Sequence, residues 1–142
     1  AAVRAELGGL DVLVNNAGAS ASHKFLGHPD ELWHRMLAIN LTGVYYVTKA
    51  FAPEMAARRS GRIITVASIA SKVGALYIAA YAVAKHGVLA RLRALAAELA
   101  ASGVTVNAIC PGYADTPMTD ASIDNIVART GMAAAQARAT LE

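Results

Sequence analysis

The chain has 142 residues, 56% hydrophobic and 16% charged, with a formal charge of +3. This excludes a disordered chain and sizes the molecule as one domain at most. The basic residues are scattered, with no basic run and no aromatic interleaving, which argues against nucleic-acid binding. The longest apolar stretches, Met36–Thr48 and Val73–Ala84, are too short to span a bilayer.

Cys110 is the only cysteine. An internal disulfide is therefore impossible, and a reducing, cytoplasmic setting fits. The residue closes an apolar run, which reads as a buried, inert thiol. His23, His28, His34 and His86 have no metal-ligand spacing, so no metal site is expected.

Taken in order, AAVRAEL (Ala1–Leu7) reads as the last turns of a helix ended by Gly8-Gly9. The opening, without Met, looks like the middle of a longer sequence. LDVLVNN (Leu10–Asn16) is a short strand, apolar on both faces apart from Asp11, as a buried parallel strand would be. Residues 19–27 are loop-like. A helix begins with Asp30 as N-cap behind Pro29. Asn40 and Gly43 are poor interior helix residues, so a kink or a functional demand is expected there. Helix resumes through Val44, Val47 and Phe51, bent by Pro53, and ends at Ser60-Gly61.

RIITVAS (Arg62–Ser68) is the second strand, followed by a loop over Ile69–Leu76. From about Ala79 a long helix carries Tyr81, Lys85, Val88, Leu92, Leu95 and Leu99 at three- and four-residue spacing. Ser102-Gly103 ends it. VTVNAIC (Val104–Cys110) is the third strand, stopped by Pro111-Gly112. Thr116-Pro117 reads as N-cap and first helical residue, and weaker helical segments continue to Glu142. Strands alternating with long helices predict an α/β fold with a parallel sheet and right-handed crossovers.

Three groups of residues are odd for purely structural positions: Asn15-Asn16-Ala17-Gly18, Ser68 and Pro111-Gly112. Each lies just past the C-terminal end of a strand, and in a parallel sheet those ends share the rim where ligands bind. Tyr81 and Lys85, four residues apart on one helix face, reach the same rim. On the pair alone, a half-buried aromatic with a snorkelling lysine is the simpler account.

As chemistry, the pair suits proton transfer. A free phenol titrates near ~10, so a phenolate at neutral pH costs about 4 kcal/mol. A neighbouring ammonium supplies part of that. Ser68 is placed to hold a carbonyl or alkoxide oxygen.

The ordered set NNAG (Asn15–Gly18), INLTG (Ile39–Gly43), GRIITVAS (Gly61–Ser68), YAVAK (Tyr81–Lys85), VNAICPG (Val104–Gly112) and DTPM (Asp115–Met118) resembles the short-chain dehydrogenase/reductase family. The wording is like that of its 3-oxoacyl reductase, 3-hydroxybutyrate dehydrogenase and polyketide ketoreductase members. The resemblance implies a Rossmann fold, a doubly wound parallel sheet, and an enzyme that interconverts a carbonyl and a secondary alcohol with NAD or NADP.

By position, the resemblance makes Tyr81 the general acid/base and Lys85 the group that favours its ionisation and binds the nicotinamide ribose. Ser68 would polarise the substrate oxygen, and Asn40 would hold a water in a relay to Lys85. Asn16, Ala17 and Gly18 would lie against the cofactor, and Pro111, Gly112, Ala114 and Thr116 along the nicotinamide side. Ala75, Leu76, Tyr77 and Ile78 would form an apolar wall for a small-molecule β-keto or hydroxyacyl substrate. The full-length form would be a homodimer or homotetramer.

The family's TGxxxGxG turn, its first strand, the residue that chooses NAD or NADP, its last strand and its C-terminal segment have no counterpart here. Residues 1–142 are thus expected to form a single incomplete Rossmann domain. It would lack the first βαβ units and carry the catalytic half. Ala114 replaces a larger residue, and Arg91 interrupts an apolar helix face at the family's dimer interface. The apolar strand Leu10–Asn16 becomes an unprotected edge. The chain as written is expected to aggregate or fold poorly and to bind NAD(P)H weakly. The competing reading is an inactive α/β fragment acting at most as an interaction module.

Overall fold

Burial alternates along three short strands, and that alternation organises the molecule. The computed structural model describes residues 2–141, with elements α1 (Ala2–Leu7), β1 (Val12–Asn15), α2 (Asp30–Leu37), α3 (Gly43–Ala57), β2 (Gly61–Val66), α4 (Ala79–Glu98), β3 (Val104–Ile109), α5 (Pro117–Thr130) and α6 (Ala134–Ala139). The strands pair in parallel in the order β1-β2-β3, Val12 opposite Arg62 and Arg62 opposite Thr105. Two successive crossovers of the same hand stepping in the same direction put α3 and α4 on one face of the sheet.

That face is the core. Leu13, Ile63 and Val104 point into it and meet Ala52 and Met55 of α3. Val88 and Leu92 of α4 pack with Ala67 beyond the end of β2. A polar cluster is enclosed beside it: Asn15 Nδ2 donates to Thr48 Oγ1 at 3.2 Å and to Thr65 Oγ1 at 3.3 Å. Thr48 in turn donates to the Val44 carbonyl at 2.7 Å. The cluster ties β1, α3 and β2 together.

The opposite face differs from the expectation for β1. Val12 and Val14 are 49% and 55% exposed, and Ile109 is 54% exposed. The apolar run does form a parallel strand, but among the described residues helices cover only one of its faces. An unbroken apolar strand sequence asks for cover on both sides, and the described chain supplies half of it.

Helix boundaries follow local chemistry with one correction. Asp30 is the first helical residue rather than the cap, and Pro29 takes the cap position with no side-chain hydrogen bond. Thr116 does occupy the cap of α5 with Pro117 behind it, yet its hydroxyl makes no capping bond. Pro53 sits inside α3, which runs on to Ala57. The irregularity expected around Asn40 is real: residues Ala38–Thr42 form a π-helical turn between α2 and α3. Gly103, at φ +74, ends the turn after α4, where a side chain would collide with the Arg59 carbonyl oxygen. Between α3 and α4 runs a groove of about 330 Å³ lined by Tyr45, Lys49, Pro53, Arg91 and Leu95. The Arg91 Nε and Nη2 are buried there without a hydrogen-bond partner, and burial lowers its pKa.

Candidate active site

The C-terminal ends of the three strands converge as the spacing predicts. Past β2 the ladder continues irregularly, with Ala67 N donating to the Ile109 carbonyl at 2.8 Å and Ile69 N to the Pro111 carbonyl at 2.7 Å. These bonds fix the segment carrying Ser68 beside the Pro111-Gly112 turn. Asn16, Ala17 and Gly18 follow β1 and leave their surface open to solvent.

Lys85 is the centre of the site. It sits one turn below Tyr81 on α4, is 6% exposed, and its Nζ lies 5.7 Å from the Tyr81 ring centroid. The Nζ donates to the Val66 carbonyl at 3.0 Å, at the end of β2. Burial pushes the ammonium below the ordinary lysine value, and the neighbouring Cys110 thiol partly opposes that shift. An ammonium has three donors. With one given to Val66, two remain for other partners.

Asn40 is 1% exposed, and its side chain faces the loop after β1. Its Nδ2 donates to the carbonyls of Ala19 at 2.9 Å and Met36 at 3.0 Å. Its Oδ1 accepts from Ala19 N at 3.2 Å. The amide thus imitates a strand partner for Ala19 and pins the turn that carries Gly18. A Cβ on Gly18 would lie 3.1 Å from Asn40 Oδ1 and 3.7 Å from Lys85 Nζ. Gly18, Asn40 and Lys85 are therefore neighbours across 67 residues of chain, and the glycine keeps the space beside the ammonium clear.

Ser68 has an extended backbone, φ −171 and ψ 162, and its Oγ accepts from Ala70 N at 3.1 Å. A hydroxyl has one proton and two lone pairs. With a lone pair used on Ala70, the proton is available to an incoming oxygen. The Ser68 N donates to Ser71 Oγ at 3.2 Å, an interaction not anticipated from the sequence. An S-x-x-S spacing at a helical turn was the signal for it.

Other positions gather less tightly. Leu76 and Tyr77 are 80% and 50% exposed, so the expected wall is an open lip rather than a packed surface. Tyr77 has φ +67, and its carbonyl accepts from His23 N at 2.7 Å, clipping this lip to the loop after β1. Ala114 and Thr116 lie on the turn into α5 with local bonds. Thr116 Oγ1 donates to the Ala114 carbonyl at 3.4 Å, and the buried Thr119 does so at 2.6 Å. Among the described residues there is no group of histidine, cysteine and carboxylate side chains that could hold a metal ion. No helix there is long and apolar enough to cross a membrane.

Known proteins are similar to this chain in sequence and fold. The profile of the short chain dehydrogenase family matches residues 1–126. A D-beta-hydroxybutyrate dehydrogenase of Rhizobium meliloti is 42% identical over 123 residues, 87% of this chain and 48% of that protein. The 3-oxoacyl-(acyl-carrier-protein) reductase of Escherichia coli is 40% identical over 123 residues, covering 87% and 50%. A crystal structure of an actinorhodin polyketide ketoreductase variant with NADPH superposes with a TM-score of 0.90 at 40% identity, covering 96% of this chain and 53% of that one. The chain spans about half the length of the curated relatives it matches. On its sequence and its fold alike, the chain belongs to the short-chain dehydrogenase family.

Proposed function

We propose that the protein is an NAD(P)-dependent oxidoreductase that interconverts a carbonyl and a secondary alcohol on a small β-keto or hydroxyacyl compound, with Tyr81 as general acid/base. The observation that carries the reading is the placement of the Lys85 ammonium, buried, 5.7 Å from the Tyr81 ring and beside Gly18 and Asn40.

In the direction of reduction, the substrate oxygen lies between the Ser68 and Tyr81 hydroxyls. Ser68 donates its free proton as a hydrogen bond and orients the carbonyl. Tyr81 transfers its proton to that oxygen as negative charge develops on it. The Lys85 ammonium stabilises the phenolate left behind, an interaction strengthened by the burial of the ammonium. In the direction of oxidation the same groups run in reverse. A water relay at Asn40 would use its main-chain carbonyl or the second lone pair of Oδ1, because both Nδ2 protons are given to Ala19 and Met36.

A nicotinamide cofactor fits the residues present. The open main chain of Asn16–Gly18 admits a flat ligand, and Gly18 offers no side chain where one would press on Lys85. The two free Lys85 donors suit ribose hydroxyls, with Pro111, Gly112, Ala114 and Thr116 along the opposite side. When bound, the cofactor supplies or accepts the hydride. The relatives' names, a hydroxybutyrate dehydrogenase and a 3-oxoacyl reductase, support the substrate class. Assembly as a homodimer or homotetramer in the cytoplasm belongs to the same proposal. It is supported by Tyr45, Tyr46 and Val47, 41%, 63% and 43% exposed along α3.

The test is Tyr81→Phe in the full-length enzyme, assayed by NAD(P)H consumption with a β-ketoacyl thioester. Loss of the proton donor is expected to lower kcat by about a hundredfold or more. Turnover equal to the unmodified enzyme would overturn the reading.

A further inference from the structure

We infer that Ser71 is a positioning residue for Ser68, holding it in register for the substrate oxygen; the inference rests on the oxidoreductase reading above. The turn Ile69–Ser71 after β2 is closed by reciprocal bonds between the two serines. Ser68 N donates to Ser71 Oγ at 3.2 Å, and Ser71 N donates to the Ser68 carbonyl at 2.9 Å. Ala70 N donates to Ser68 Oγ at 3.1 Å. Ser71 is 3% exposed and Ala70 4%, so the turn is packed in place.

Ser68 itself is the hinge between strand and turn. Its extended backbone leaves its N–H outside the regular ladder, and Ser71 Oγ is the group that takes it. The hydroxyl of Ser71 points back at the main chain of Ser68 and occupies no position on the open rim. It acts through Ser68 and touches no reacting atom. A hydroxyl that must meet a developing oxyanion gains its effect from being fixed before the reaction, and misplacement of about 1 Å is costly in rate. The cofactor-facing residues lie on other segments, so losing Ser71 should lower turnover without weakening cofactor binding.

The experiment compares Ser71→Ala, Ser71→Thr, Ser68→Ala, Tyr81→Phe and the Ser68→Ala/Ser71→Ala double variant of the full-length enzyme. Substrate is a β-ketoacyl thioester, with kcat and the KM for NADPH measured separately. Ser71→Ala is expected to lower kcat about tenfold with the KM for NADPH unchanged. Ser71→Thr, which keeps the hydroxyl, should recover most of the loss. In the Ser68→Ala background the Ser71→Ala change should add less than about twofold, because the residue it positions is gone.

The inference is overturned if Ser71→Ala turns over like the unmodified enzyme while Ser68→Ala and Tyr81→Phe are impaired. It is also overturned if the tenfold loss persists undiminished in the Ser68→Ala background, which is the mark of a merely structural cap. If Ser68→Ala and Tyr81→Phe both keep full activity, the oxidoreductase reading itself fails.

Discussion

At the scale of single residues, the site is built on buried polar groups whose partners are main-chain atoms. Lys85 illustrates the cost. Burial lowers its folded pKa below the ordinary 10.5, so between those two values the folded chain binds fewer protons than the unfolded chain. Stability is therefore reduced at every pH below the folded value, and the penalty fades as pH rises toward 10.5. Lys85→Met removes the penalty. Denaturant unfolding between pH 6 and 10 should show the unmodified chain gaining stability relative to the Met variant as pH climbs. A pH-independent difference would contradict the placement of this ammonium. In the full-length enzyme, the same substitution should lower activity by about a hundredfold. The sequence offered Asn40, Ser68, Tyr81 and Lys85 as candidates through the ordered motifs, and Asn40 also as a poor choice inside a helix. Their partners were not legible. The Ala19 main chain and the Val66 carbonyl carry no side-chain signal that separates them from neighbours, and Ser71 is marked only by its three-residue spacing from Ser68.

At the scale of elements, chain reversals are where local sequence and three-dimensional packing agree or part. Gly103 ends the turn after α4 at φ +74, where any Cβ would meet the Arg59 carbonyl oxygen. Gly103→Ala places a Cβ against main chain in a conformation alanine avoids. It should destabilise the chain by about 2 kcal/mol or more, read as a lower denaturation midpoint. The glycine was legible as a helix stop from Ser102-Gly103 alone. The cap of α2 was read less well, whereas Thr116 does take the cap position of α5. Asp30 and Thr116 have capping chemistry, but the chain turns one residue earlier in α2. In α5, Thr116 Oγ1 lies near the Ala114 carbonyl instead. Cap choice depends on which rotamer the surrounding loop permits, and that is decided by contacts far away in sequence.

At the scale of the whole molecule, the described chain is a sheet with helices on one side. The bare side exposes Val12, Val14 and Ile109, and β1 is an edge with unpaired main-chain groups. The 142-residue chain by itself should therefore bind a dye such as ANS strongly and self-associate at micromolar concentration. Val14→Lys on the bare face should reduce association, measured by light scattering, without loss of the core packed on Leu13. A monodisperse 142-residue chain with micromolar NADH affinity would contradict this. The parallel order was legible from alternating elements. The one-sided cover was not, because the same Val/Leu pattern serves a strand whether its second face is met within these residues or by something else.

The π-helical turn at Ala38–Thr42 has a rotational consequence. Buried Met36, Asn40, Val44, Thr48 and Ala52 recur every four residues. On a helix of 3.6 residues per turn each such step overshoots a full revolution by about 40°, so four steps drift by about 160°. A drift that large would carry Ala52 to the side of the helix opposite Met36. One residue accommodated in a wider turn takes back about 100° of it. The turn is thus a phase correction: it lets one long helical stretch hold Asn40 against Ala19 at one end and Ala52 against the sheet at the other. A regular helix over the same residues would swing one of those two contacts out of alignment, whereas deleting Leu41 removes the residue the wider turn absorbs and should leave both in phase.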